Sequence, residues 1–193
     1  LDEHTEILKT HTQMLEEHSK KLDEHSKILE QLSGDVETLK KDVGDIKITL
    51  RRIVEDIEAE ARDAVPLHLK DYLQTYVALN VLKIEGIVEI NLYGTTNSIC
   101  IVGDAKTRVG PSAVIGLFRK ALKLLKQAPD YLRDKILFVV YGLDVLNITI
   151  DIAKKYGVCL VTPKGIVVGP EIIEKDKVET LFNKLLKELG VKS

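Results

Sequence analysis

Along the first 57 residues apolar side chains recur every seven positions, at Leu1, Leu8, Leu15, Leu22, Leu29, Val36, Val43, Leu50 and Ile57. Three residues after each of the first eight stands a second series: His4, His11, His18, His25, Leu32, Leu39, Ile46 and Ile53. This alternation of three and four is the a/d seam of a coiled coil. It predicts one long helix, roughly 85 Å over eight heptads, wound into the left-handed supercoil that a strict seven-residue period imposes. A lone helix cannot bury so narrow a seam, so partner helices are required. Gly34 and Gly44 cost about 1 kcal/mol each, but at heptad positions f and b they leave the seam intact. Val36, Leu39 and Val43 favour two strands, whereas Leu50 between Ile46 and Ile53 leans to four. The expectation is a parallel homodimer through residues 1–57, with a tetramer as the alternative. The four d-position histidines read first as polar layers that set register and oligomer order. The other reading is an array that binds metal or switches with pH. On either reading, protonation adds like charge to the seam, so the N-terminal half should loosen below a pH of about 6.5.

Beyond residue 57 the pattern changes. Helical periodicity continues to Val65. Pro66 is expected to end or kink that helix, or to open the next one at its first turn, and residues 67–78 are again helical. Period-two alternation then predicts strands at 80–84, 86–93 and 98–106, with short turns at 85–86 and 94–97. Ser112 is the expected N-cap of an amphipathic helix over 112–127. Residues 135–141 (KILFVVY) form the continuous apolar run of a buried parallel strand. A helix over 145–156, a buried strand over 158–162, an edge strand over 165–168 and a terminal helix over 174–189 complete the chain. The order predicts an α/β fold, a mixed sheet with helices on both faces. Residues 1–57 are its stalk and residues 58–193 its body.

Composition sharpens that division. The chain has 193 residues and a formal net charge of −2. Residues 1–57 carry 9 basic against 14 acidic side chains, and residues 58–193 carry 19 against 16. All nine Phe and Tyr lie in the body. An acidic stalk is thus joined to a mildly basic body, whose surplus permits a nucleic-acid partner without requiring one. No stretch approaches 18 uninterrupted apolar residues, and no signal peptide is visible, so no membrane partner is expected. Cys100 and Cys159 both sit in apolar runs, which argues against a disulfide framework or a cysteine zinc site. A reducing, cytoplasmic setting is expected. Met14 is the only methionine, so the chain is expected to be the C-terminal portion of something longer. Motifs of the GxGxxG, GxxxxGK[ST] and GxSxG types are absent, which argues against nucleotide-cofactor enzymes, P-loop ATPases and serine hydrolases.

Candidate chemistry gathers on two neighbouring strands. Glu89 and Asn91 alternate on the second, in VEINLYG, and Asp104 and Lys106 on the third, in IVGDAKTR. Residues two apart on a strand share a face, and a hairpin at 94–97 brings the two pairs together. Carboxylates with a backbone carbonyl suit Mg²⁺ or Mn²⁺. A lysine beside them can orient or help deprotonate an attacking water. Together they form a device for metal-assisted phosphodiester hydrolysis. Read as metal ligands, the acids are Glu89 and Asp104. The bland alternative is a strand-end ion pair between Asp104 and Lys106. Arg119, Lys120, Lys123 and Lys126 form a basic helix face that can track phosphates, with Arg108 as a further candidate nucleic-acid contact just beyond the third strand.

The run Glu89-Ile-Asn91 … Asp104-Ala-Lys106, set within α-β-β-β-α-β, resembles the PD-(D/E)XK nuclease superfamily, which includes restriction endonucleases and archaeal Holliday junction resolvases. A heptad stalk feeding such a core is similar to archaeal coiled-coil proteins of unassigned function. The resemblance covers about 55–165. It implies a restriction-endonuclease-like mixed sheet and a Mg²⁺-dependent nuclease acting on DNA. It also implies a first acid on the helix before the sheet, for which Glu60 is the best-placed candidate and Glu58 the alternative. Arg119 or Lys120 would be the contribution from the following helix. Asn91 departs from the pattern, standing where that superfamily places a metal-binding aspartate. Either Glu89 supplies the missing carboxylate, or the fold is a catalytically inactive scaffold that binds DNA or protein.

Overall fold

The computed structural model describes residues 2–191, so Leu1, the first residue of the seam, lies outside the described residues. The chain divides into two compact units, residues 1–51 and 52–193. Helix α1 spans Asp2–Leu73. Within the first unit its seam side chains from Leu8 to Leu50 are exposed in the single chain. In the second unit the apolar stripe turns inward, and Ile57, Ala61, Val65 and Leu69 are buried. A four-residue spacing replaces the heptad there because this stretch packs on a sheet.

Pro66 neither ends α1 nor opens a new helix; it lies buried inside a helix that runs on to Leu73. A proline within a helix removes one backbone bond and costs about 3 kcal/mol. Burial of the flanking Val65 and Leu69 offsets that cost, which is why local propensity misjudged this position.

The sheet is built from β1 (Asn80–Ile84), β2 (Val88–Thr95), β3 (Ile99–Val109), β4 (Lys135–Val145), β5 (Val158–Thr162) and β6 (Gly165–Val168), side by side in that order. β1, β2 and β3 form an antiparallel meander. β3, β4 and β5 run parallel, and β6 returns antiparallel at the edge. A two-residue strand, β7 (Ile173–Glu174), pairs with the start of β4. Helices α2 (Pro111–Gln127), α3 (Asn147–Tyr156) and α4 (Val178–Glu188) complete the body. The expected α/β class with a mixed sheet is therefore observed.

Local differences from the sequence reading have physical causes. Gly110, not Ser112, is the N-cap of α2, and Pro111 occupies the first turn, where its missing N–H costs nothing. β3 and β4 run on to Val109 and Val145 because they remain paired that far, which delays α3. β7 and a 3₁₀ turn at Lys175–Lys177 occupy the first residues assigned to the last helix.

Two apolar layers sandwich the sheet. On one side Val102, Phe138, Val140 and Leu160 pack with Val114, Phe118 and Leu185 of α2 and α4. On the other Leu92, Ile101, Leu137, Val139 and Cys159 pack with Ile57, Ala61, Val65 and Leu69 of α1. Gly103 allows the central strands to close up: a Cβ there would stand 2.6 Å from Val139 Cγ1 and 2.8 Å from its carbonyl oxygen. Gly103→Ala is therefore expected to destabilise the body by about 1–3 kcal/mol through overpacking, read as a lower urea midpoint at unchanged slope. An unchanged midpoint would contradict this packing.

Candidate active site at the β2–β3 fork

Strand β2 carries one residue more than its neighbour. Between the pairs Asn80–Tyr93 and Leu82–Ile90, β1 advances two positions and β2 three. This is a β-bulge, a device that re-aims side chains and is frequent beside functional sites. Its effect is visible in the core: Ile90 belongs to the layer under α2, whereas Leu92 belongs to the layer under α1. Strict alternation would have put both on one face. Asn91 lies within this bulged stretch, and its Nδ2 donates to Glu58 Oε1 of α1 at 2.6 Å.

Leu92 opposite Gly103 is the last of the β2–β3 pairs in this direction, while β3 stays paired with β4 through Asp104 and beyond. Asp104 therefore sits where β2 and β3 part, 5% exposed. Its Oδ1 accepts Asn91 Nδ2 and the Ala105 backbone N–H, each at 3.0 Å. Its Oδ2 meets Lys106 Nζ at 3.1 Å and Lys120 Nζ of α2 at 3.2 Å. One carboxylate is thus approached by four donors from three elements.

Glu58 is held above the ordinary glutamate range, first by burial and then by the negative charge of Asp104, with Arg62 and Lys106 opposing and Glu89 adding to the rise. Like-charged carboxylates are brought together here, and the Asn91 amide, the Ala105 N–H, the Lys106 and Lys120 ammonium groups and the Arg62 guanidinium relieve them.

Glu60 does not join this cluster. Its Oε1 accepts the Tyr141 hydroxyl at 2.6 Å, on β4, and burial with that bond pushes the phenol well above its usual range. The helical period explains the division of labour. The buried stripe of α1 runs through Ile57 and Ala61. Glu58 flanks it on one side, toward β2, and Glu60 flanks it on the other, toward β4. The two acids straddle β3, so only one can reach Asp104.

Glu89, expected to share a metal with Asp104, lies at the rim with its side chain 54% exposed and ion-paired to Lys83 at 3.4 Å. The inward acid is Glu58 instead. Arg108 pairs with Asp144 at 3.2 Å in the open. Arg119, Lys120 and Lys123 line a cleft of about 350 Å³ over Gly116, facing residues 87–89. Lys120 belongs both to that basic cleft and to Asp104.

Two carboxylates from different elements and an amide offer hard oxygen donors. Mg²⁺ is commonly held by one or two carboxylates, with water and substrate phosphate completing its shell, so the donor set fits such an ion. Among the described residues no three His, Cys, Asp or Glu side chains converge to hold a metal by themselves. The Asn91 amide now bridges the two acids in the way a cation would.

No helix among the described residues is long and apolar enough to cross a membrane. No curated protein and no solved structure matches the chain at a significant level. One family does match, described as Domain of unknown function (DUF8196), over residues 59–167. That span holds Asn91, Asp104, Lys106 and Lys120 and begins one residue after Glu58. It covers more than half of the chain, which therefore belongs to this family.

Proposed function

We propose that the body is a PD-(D/E)XK-like nuclease core that hydrolyses DNA phosphodiesters with Mg²⁺ or Mn²⁺, and that the α1 heptads join copies of it as a coiled coil. The observation that carries the reading is the convergence of Glu58, Asn91, Asp104 and Lys106 at the fork where β2 leaves β3. Glu58 and Asp104 would hold the ion, which supplies Lewis-acid stabilisation of the phosphoryl oxygens. Lys106 is about half exposed, so its ammonium reaches both Asp104 and solvent and can orient an attacking water. Arg119, Lys120 and Lys123 offer phosphate contacts along the cleft beside it, and Arg108 offers another.

One observation favours the second reading, an inactive core that serves as a binding platform. The Asn91 amide donates to both acids, and Lys120 adds a second ammonium to Asp104, so the cluster is already neutralised without a divalent ion. Cleavage of supercoiled, branched and single-stranded DNA with Mg²⁺ or Mn²⁺ separates the two. Salt-sensitive binding with no cleavage under any condition supports the platform.

A paired substitution tests which helix acid acts. Glu58→Gln keeps an acceptor for Asn91 and removes a charge that burial and Asp104 oppose. A folded pKa raised above the unfolded one makes ionisation a cost to the fold. That cost is fully present at neutral pH and disappears as pH falls through the raised value. Glu58→Gln should therefore be as stable as the wild type or more stable at pH 7, yet lose metal-dependent cleavage. Glu60→Gln retains an acceptor for Tyr141 and should cleave normally. Equal cleavage by the two variants would remove Glu58 from the site. Sedimentation equilibrium of the full chain tests the coiled coil, with a dimer expected and a tetramer as the alternative.

A further inference from the structure

The proposed chemistry leaves four side chains unused: His4, His11, His18 and His25, all exposed on the continuous helix α1. A single polar residue in a seam sets register, because any slip then places it against apolar side chains. Four identical layers at even spacing do not. A slip of one heptad still stacks three histidines on three histidines, so register leaves the repetition unexplained.

What imidazole adds over other polar seam residues is a nitrogen lone pair that suits Zn²⁺, Ni²⁺ and Cu²⁺. An independent feature of the sequence follows the histidines. Three of the four are preceded by two acids, in Asp2-Glu3-His4, Glu16-Glu17-His18 and Asp23-Glu24-His25. His11 follows Lys9-Thr10 instead. Where the d position becomes Leu32, Leu39, Ile46 and Ile53, the preceding pairs become Glu-Gln, Glu-Thr, Gly-Asp and Arg-Arg. Paired acids thus accompany the histidines and not the heptad itself. Residues one and two apart on a helix do not face each other, so these acids at heptad positions b and c do not touch the imidazoles, but their charge offsets that of a cation bound at the layer.

We propose that the seam histidines form a stacked array of transition-metal sites, one ion to a layer, completed when copies of this chain bring equivalent histidines together. The proposal rests on the coiled-coil reading of α1, and a second copy is its one occupant, since only a helix with the same spacing meets every layer. Layers one heptad apart lie about 10.5 Å from each other, too far to share an ion. The His11 layer, lacking acids, is the weakest.

The test is equilibrium dialysis of the metal-stripped full chain against Zn²⁺, paired with sedimentation equilibrium. The comparison is a variant with all four histidines changed to asparagine, which keeps the seam polar. The expected result is Zn²⁺ binding by the wild type at more than one ion per oligomer, at least tenfold weaker in the variant, with both proteins oligomeric. A wild type that is oligomeric but binds no more Zn²⁺ than the variant overturns the array and leaves the stalk reading standing. A wild type that is monomeric with and without Zn²⁺ overturns both.

Discussion

Asp104→Ala is expected to reduce metal-dependent cleavage about 10³-fold, equivalent to ~4 kcal/mol of barrier. No other side chain touches as many members of the cluster: Asn91, Lys106, Lys120 and the Ala105 N–H all converge on it. The substitution removes one proposed ligand of the ion and also the anchor that holds the Lys106 ammonium. The stability change should be smaller. Lys106 and Lys120 are partly exposed and can turn to solvent, so their loss of a partner costs little. The Ala105 N–H is buried and loses its acceptor, which costs about 1–3 kcal/mol. A folded variant, shown by a cooperative urea transition, that still cleaves at the wild-type rate would end the nuclease reading.

Asn91→Asp should have the second-largest effect, and its sign depends on the ion. Without a divalent cation it sets a third carboxylate between Glu58 and Asp104, in a place where burial and Asp104 already push Glu58 upward. The new acid should titrate above the ordinary carboxylate range, as Glu58 does. The folded state then binds protons more tightly than the unfolded one. Stability is therefore lowered at neutral pH and recovered as pH falls through the raised values toward the ordinary range. With Mg²⁺ the order reverses. An ion bound only by the folded state contributes about 2.7 kcal/mol at a hundredfold excess over its dissociation constant. Cleavage should also rise above that of the wild type. Melting temperatures at pH 5 and 7, with and without Mg²⁺, check both halves. If Mg²⁺ shifts neither protein, the cluster is not a divalent site.

Much of the fold was legible because it rests on repetition. The heptads of α1 announce themselves residue by residue, β1 falls where alternation places it, and β5 and β6 fall on the short apolar runs at 158–162 and 165–168. Features that depend on a partner were not legible. A bulge is an extra residue relative to the neighbouring strand, and nothing within VEINLYG reveals it. Pro66 reads as a break until the burial of Val65 and Leu69 is known. Glu58 and Glu60 look interchangeable as a pair of helix acids. They part once Ile57 and Ala61 fix which face meets the sheet, and the helical period alone could have separated them. Lys120 stood out as one of several basic residues and, beside Arg119, as the contribution the resemblance implies from the following helix. Its role depends on α2 lying against the fork.

The single helix α1 also has a consequence for the order of events during synthesis. It is made before the strands it packs against, so Ile57, Ala61, Val65 and Leu69 wait uncovered until those strands follow. Their partners on β4 and β5 arrive more than sixty residues later, and the parallel pairing of β3 with β4 needs α2 made first. Such non-local pairing is slow. If the α1 heptads join copies as proposed, nascent chains on one message would meet through their stalks before their bodies close, and the assembly would form among chains read from the same transcript.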